Sequence, residues 1–190
     1  MPYYQVHHTY PLSLTQRQSI ALSITNLHCG AFNTPASFVH VSFSKQDPAP
    51  DDGTYFMAGK SHPDISNRIV AVVRTSASRT KDDFDNLAAS IEDAWNGALR
   101  EGNSNAGGGA EQAGQAEQVE VLDASKRLTM VVFTPLLAVR EGGMAVPEAG
   151  HEEAWLKQQL PYIKEMAEKH NDAGFKLLLE ELNQREAVRG

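Results

Sequence analysis

A proline at position 2 stands directly behind Met1, and methionine ahead of so small a residue is normally clipped. Its removal would leave Pro2 with a free secondary amine. Amino-terminal amines have pKa values of about 7.7–8.0, near enough to neutrality that burial or a neighbouring charge decides whether the nitrogen is a base or an acid. Two arginines offer a partner for an anion. Arg74 closes the apolar run Ile69 to Val73, and Arg79 follows across the polar turn Thr75 to Thr80. Guanidiniums held near one strand end can grip a carboxylate through charge-assisted, partly bidentate hydrogen bonds. The plainer alternative is that one of them caps or pairs at the surface. His28 ends an apolar helical stripe, where a structural histidine is commoner than a catalytic one. Glu141, between Arg140 and Gly142-Gly143, reads by itself as a solvated loop acid.

These groups can cooperate only if the chain brings them together. Tyr3 to Tyr10 is rich in aromatic and β-compatible residues and stops at Pro11, which predicts a first strand. From Thr15 to His28 the apolar positions Ile20, Ala21, Ile24 and Leu27 recur at helical spacing, and Gly30 is placed to cap the end, so the helix is expected to finish at His28-Cys29-Gly30. Ser37 to Phe43 alternates as a strand, and the turn-rich segment Gln46 to Gly53 closes it. The run Ile69 to Val73 reads as a strand buried on both faces. Phe84, Leu87, Ala88, Ile91, Ala94, Trp95 and Ala98 define a second amphipathic helix. Gly102 to Gln118 lacks apolar periodicity and reads as a flexible surface insertion without chemistry. Leu128 to Phe133 is the next strand, ended by Pro135, and from His151 the pattern is helical, with a break near Asn171 to Gly174.

The fold class is therefore α/β in the α+β sense. Two consecutive β-α-β units form one four-stranded sheet with both helices on one face, followed by a C-terminal helical tail. The predicted division is a core domain over 1–150, carrying the 102–118 insertion, and an extension over 151–190. The opposite sheet face needs a cover, and a cyclic oligomer is the cheapest one.

At 190 residues the chain can bury one substantial core. A formal charge of −7 argues against nucleic-acid or acidic-membrane partners, which want a concentrated basic surface. The lone Cys29 has no disulfide mate and no metal-ligand spacing around it, so a reducing cytoplasm and no metal or other cofactor are expected. Met1 to Leu12 has neither the basic nor the apolar part of a signal peptide, and no stretch approaches a membrane span of ~20 apolar residues.

Taken together, three stretches resemble the tautomerase superfamily, and within it the group around cis-3-chloroacrylic acid dehalogenase. The opening Met1-Pro2-Tyr3-Tyr4 and the segment Ser23 to Gly30, SITNLHCG, are similar to that group's start and its first helix with a catalytic histidine. Arg74 and Ser78-Arg79-Thr80 resemble its pair of substrate-binding arginines, with two extra residues between them. Glu141-Gly142-Gly143 and Ala149 to Trp155, AGHEEAW, resemble its catalytic glutamate and the stretch behind it.

The resemblance implies Pro2, His28 and Glu141 as catalytic residues, Arg74 and Arg79 as binding a small carboxylate substrate, and a homotrimer. It implies a keto–enol tautomerase for 2-oxo or 2-hydroxy-enoate acids in which neutral Pro2 shuttles the proton. The alternatives are a hydratase or dehalogenase of 3-haloacrylate-type acids, with Glu141 and His28 activating water, and a non-catalytic trimeric scaffold of the same fold. The dehalogenase's tyrosine on the last core strand has no counterpart, its position falling in Thr129 to Phe133 on Val132.

Overall fold

A computed structural model describes residues 1–46, 53, 55–62, 65–104 and 123–189 of the chain. The elements in order are β1 (Tyr3–His8), α1 (Leu14–Phe32), β2 (His40–Lys45), β3 (Phe56–Met57), β4 (Lys60–Ser61), β5 (Arg68–Val73), α2 (Lys81–Ser104), β6 (Met130–Pro135), β7 (Arg140–Glu141), β8 (Met144–Ala145), α3 (Glu152–Glu168) and α4 (Ala173–Arg189). A four-stranded sheet runs in the order β2-β1-β5-β6. β1 is parallel to β2 and antiparallel to β5, and β5 is parallel to β6. Two β-α-β units thus lie side by side as expected.

The register sorts the side chains. Tyr4 lies opposite Val41 and Ala71, and Ala71 opposite Phe133, so this row faces one side together with Val6 and Ile69. Ile20 and Ile24 of α1 and Leu87, Ile91 and Trp95 of α2 complete that core. Full burial of side chains this size contributes roughly 1.5–3 kcal/mol each. The other face carries Tyr3, Met130 and Val132, which remain 41%, 41% and 38% exposed.

Several boundaries differ from the sequence expectation. β5 alternates, with Ile69, Ala71 and Val73 buried and Val70 and Val72 only partly so; its second face lacks the covering layer that a continuous apolar run implied. α1 does not stop at Gly30. It continues to Phe32 and ends on Asn33, whose φ of 51° supplies the left-handed cap that glycine was expected to give. Its start is fixed by a capping box, Ser13 Oγ accepting from Gln16 N while the Gln16 side chain accepts from Ser13 N. The stretch expected as a strand from Ser37 opens with a 3₁₀ turn, Ala36–Phe38, so that β2 begins only at His40. α2 extends through Ser104, past the expected start of the insertion; the rest of that insertion, and most of the turn-rich segment after Gln46, lie outside the described residues.

The break between α3 and α4 falls at 169–172, where Asn171 takes a φ of 56°. The helix pair packs back on the body of the chain. Glu181 accepts from Ala36 N at 2.7 Å and from Ser37 N and Oγ at 2.9 and 2.7 Å, and Arg185 Nη2 donates to the Thr34 carbonyl at 2.8 Å. A second apolar cluster forms there, from Met1, Phe38, Met144, Trp155, Ile163, Ala167, Phe175 and Leu178. No helix among the described residues is long and apolar enough to cross a membrane.

Candidate active site

The amino-terminal Met1 belongs to the second cluster. Met1 is 4% exposed and Pro2 is buried, its carbonyl accepting from His40 N at 3.2 Å. Burial, then Arg74, pulls the amino group of Met1 down to about 5 from an ordinary 8.0, with Arg79 adding to the shift and Glu141 and Glu152 opposing it. A buried amine, two guanidiniums and two carboxylates therefore share one neighbourhood.

Arg74 follows directly on β5, and Arg79 is brought beside it by the tight turn in which Arg79 N donates to Ser76 O at 3.1 Å. Both guanidiniums reach the same atom. Arg74 Nη2 and Arg79 Nη2 donate to Oε1 of Glu152 at 2.8 and 2.6 Å, while Gly150 N donates to its Oε2 at 2.7 Å. Arg74 Nη1 is taken by the Pro147 carbonyl at 2.9 Å, and Arg74 Nε is buried with no hydrogen-bond partner among the described residues. The Arg79 guanidinium also lies over the Phe32 ring, 5.1 Å from its centroid. The carboxylate in the arginine grip is thus the chain's own. Glu152 opens α3, where an acid complements the helix dipole. Burial pushes its pKa up, but its own backbone N–H, Arg74 and Arg79 outweigh that and hold it below the usual carboxylate value.

His28, on the buried side of α1, is 2% exposed, and its Nδ1 is hydrogen-bonded to the Tyr4 hydroxyl at 2.8 Å. Burial, then Arg79, the amino terminus and Arg74, lower its pKa to about 3. Its imidazole is neutral at physiological pH. Burial, and then Cys29, push the Tyr4 hydroxyl well above its ordinary value, so it stays protonated.

Glu141 stands on β7, in a hairpin with β8 whose turn is Gly142-Gly143. Both glycines have positive φ; a Cβ on Gly142 would come within 2.6 Å of the Phe175 ring and one on Gly143 within 2.7 Å of the Tyr162 hydroxyl. Tyr162 in turn donates to the Gly142 carbonyl at 3.0 Å, so α3 and α4 hold this hairpin in place. Glu141 Oε1 is 3.0 Å from His40 Nε2.

Sequence reasoning singled out Pro2, His28, Arg74, Arg79 and Glu141. Arg74, Arg79 and His28 sit within electrostatic reach of the amino terminus, as does Glu141. Glu141 and His28, expected to act together, are each hydrogen-bonded elsewhere, to His40 and to Tyr4. Val132 faces the outer side of β6. Three contributors were missed. Tyr4 looked like any core residue of an alternating strand, and His40 like one polar position on another. Glu152 looked like a helix-opening acid, although an acid just ahead of an apolar Trp155 was a usable signal. Among the described residues no three His, Cys, Asp or Glu side chains gather as metal ligands.

A family model described as a putative oxalocrotonate tautomerase enzyme matches residues 1–159, which include Pro2, His28, Arg74, Arg79, Glu141 and Glu152. The chain belongs to the tautomerase superfamily. Its fold is similar to N1, a member of the cis-3-chloroacrylic acid dehalogenase family, at 23% identity and a TM-score of 0.58 over 84% of this chain and 96% of that one. It is also similar to a fused wild-type 4-OT asymmetric trimer, at 15% identity and a TM-score of 0.51 over 75% and 94% of the two chains. A third likeness is to MIF2 of Leishmania major, at 12% identity and a TM-score of 0.51 over 77% and 97%. No curated protein matches the sequence.

Proposed function

We propose that this tautomerase-fold protein, after loss of Met1, is a keto–enol tautomerase for small 2-oxo or 2-hydroxy-enoate acids, with the Pro2 amine as proton shuttle. The observation that carries this is the buried amino terminus beside Arg74, Arg79 and Glu141, in surroundings that hold an amine at about 5. Pro2 lies one residue along from that amine and would meet the same arginines. A neutral secondary amine takes the proton from the enol hydroxyl and returns it to carbon, so no net proton is consumed. Arg74 and Arg79 hold the substrate carboxylate and stabilise negative charge developing on the enolate. His28, neutral and hydrogen-bonded to Tyr4, and Glu141, near the amine, are the further catalytic candidates of this reading.

A hydratase or dehalogenase would need a protonated proline, a state that Arg74 and Arg79 oppose and Glu141 favours. The uncovered residues Tyr3, Met130 and Val132, together with the trimeric 4-OT relative, support a homotrimer in which this sheet face is covered. The unpaired Cys29 supports a reducing, cytoplasmic location. The division into a core over 1–150 and a helical extension over 151–190 belongs to the same reading.

The test is an ultraviolet assay for ketonisation of simple enol acids, run beside halide release from cis- and trans-3-chloroacrylate, with intact mass reporting the state of Met1. Ketonisation without halide release, in the form lacking Met1 alone, is the expected result. Halide release without ketonisation would overturn the reading.

A further inference from the structure

The arginine pair that should receive a substrate carboxylate already shares one internal carboxylate, and this changes what else the site can hold. Glu152 is gripped at both oxygens, by two guanidiniums on Oε1 and by Gly150 N on Oε2. Its side chain is 18% exposed. Two positive charges less one negative leave a single positive charge at the grip itself; Glu141, hydrogen-bonded to His40 Nε2 at 3.0 Å, adds only further negative charge nearby. One buried donor, Arg74 Nε, is left unpartnered there.

The ion pair also stands between two spaces. On the Glu152 side is a cavity of about 500 Å³ walled by Phe32, Pro35, Leu156, Leu160 and Leu182. On the Arg74 side is a groove of about 900 Å³ walled by Pro135, Leu137, Arg140 and Pro147. The other cations bordering them each have a partner. Lys157 pairs with Glu153 at 3.1 Å, Arg185 is bound to the Thr34 carbonyl and to Glu181, and Arg140 donates to the Gly143 carbonyl at 2.7 Å. A second buried carboxylate would meet no uncompensated positive charge, and burying an unpaired charge is costly.

We propose that Glu152 is a specificity-determining residue: by taking up one of the two arginine charges it fits the site to a monocarboxylate with an uncharged remainder and turns dicarboxylates away. The inference rests on the tautomerase reading for the location of the site, but its test is equilibrium binding. Calorimetry with the chain lacking only Met1 and two unreactive probes, crotonate and fumarate, should show crotonate binding at least ten-fold tighter. In Glu152→Gln the preference should shrink to within about three-fold, chiefly because fumarate tightens, whereas Glu152→Asp, which keeps the charge, should retain it. Glu165→Gln, the same charge change remote from the site, should leave it unmoved. Loss of packing alone would weaken both acids together and leave their ratio intact. Equal binding of the two probes by the unaltered chain, no binding of either, or an unchanged ratio in a folded Glu152→Gln overturns the proposal. Should Glu152→Gln not fold, the preference of the unaltered chain and its retention in Glu152→Asp decide. A chain with this preference and no ketonisation keeps the role of Glu152 and removes the tautomerase reading. Ketonisation of dienol diacids as fast as of monoacids does the reverse.

Discussion

The two apolar clusters of this molecule are built on different terms. The cluster between the sheet and α1/α2 draws on strand alternation and helical spacing, and all its members but Leu12 and Leu128 repeat a local pattern. The cluster under α3 and α4 gathers residues from the amino terminus, the 3₁₀ turn, a two-residue strand and both tail helices, and beyond the spacing within each helix no period links these segments. Polar groups with chemical potential lie along the edge of the second: the amine, Arg74, Arg79, Glu152 and Glu141. The first cluster supplies rigidity, and the second supplies convergence of distant segments on one point.

The contrast predicts separable damage. Holding Met1 in place with an aminopeptidase inhibitor during expression should lower kcat for ketonisation by about 10²–10⁴, since it blocks an acid/base group, while the melting temperature should not fall, because Met1 keeps its contacts in the second cluster. A kcat that survives would break the comparison at its centre. Trp95→Ala should act the opposite way. Trp95 is fully buried in the first cluster and donates to the Lys126 carbonyl at 2.8 Å, so truncation should cost about 3–5 kcal/mol in urea unfolding with kcat of the folded protein nearly kept. Arg74→Ala or Arg79→Ala removes charge-assisted bonds worth about 1.5–3 kcal/mol, hence ~10–150-fold in kcat/KM, expressed mainly in KM.

Smaller effects sharpen the boundary. Gly142→Ala places a side chain at positive φ against Phe175, and the overpacking should cost about 1–3 kcal/mol while displacing Glu141. Unfolding and steady-state rates measured on the one variant should therefore both fall. His28 gives a signal confined to acid pH. Its folded pKa of about 3 lies below the unfolded 6.5, so as pH falls from about 6.5 toward 3 the unfolded chain takes up a proton that the folded chain refuses. Stability present above that window is lost through it, by up to ~1.4 kcal/mol per pH unit. Urea midpoints of His28→Gln should decline less steeply across the same range.

The same division explains what could be read from the residues in order. Ile20, Ile24, Leu87, Ile91 and the alternation of β1 announce their elements because burial on one face imposes a period. Helix ends were harder: Gly30 carried the usual stop signal, yet the helix ran on to a left-handed Asn33. Pro2, His28, Arg74, Arg79 and Glu141 stood out because their types suit acid/base and carboxylate chemistry. Glu152 and His40 did not, because what distinguishes them is a partner far along the chain: Glu152 from Arg74, and His40 from Glu141. Spacing along one segment carries no record of such a partner.

The burial of Met1 sets a deadline. An aminopeptidase must draw the terminal residue into its own active site, and a terminus packed beside Phe38, Met144 and Trp155 in the same cluster is not available for that. Once β1 has paired, cleavage would have to wait for local opening, whose population falls steeply with the stability of the region. Processing and folding are thus competitors in time. On the proposed reading, the enzyme that removes Met1 has to work on the emerging chain, and a molecule that folds first is sealed in its unprocessed form until it unfolds.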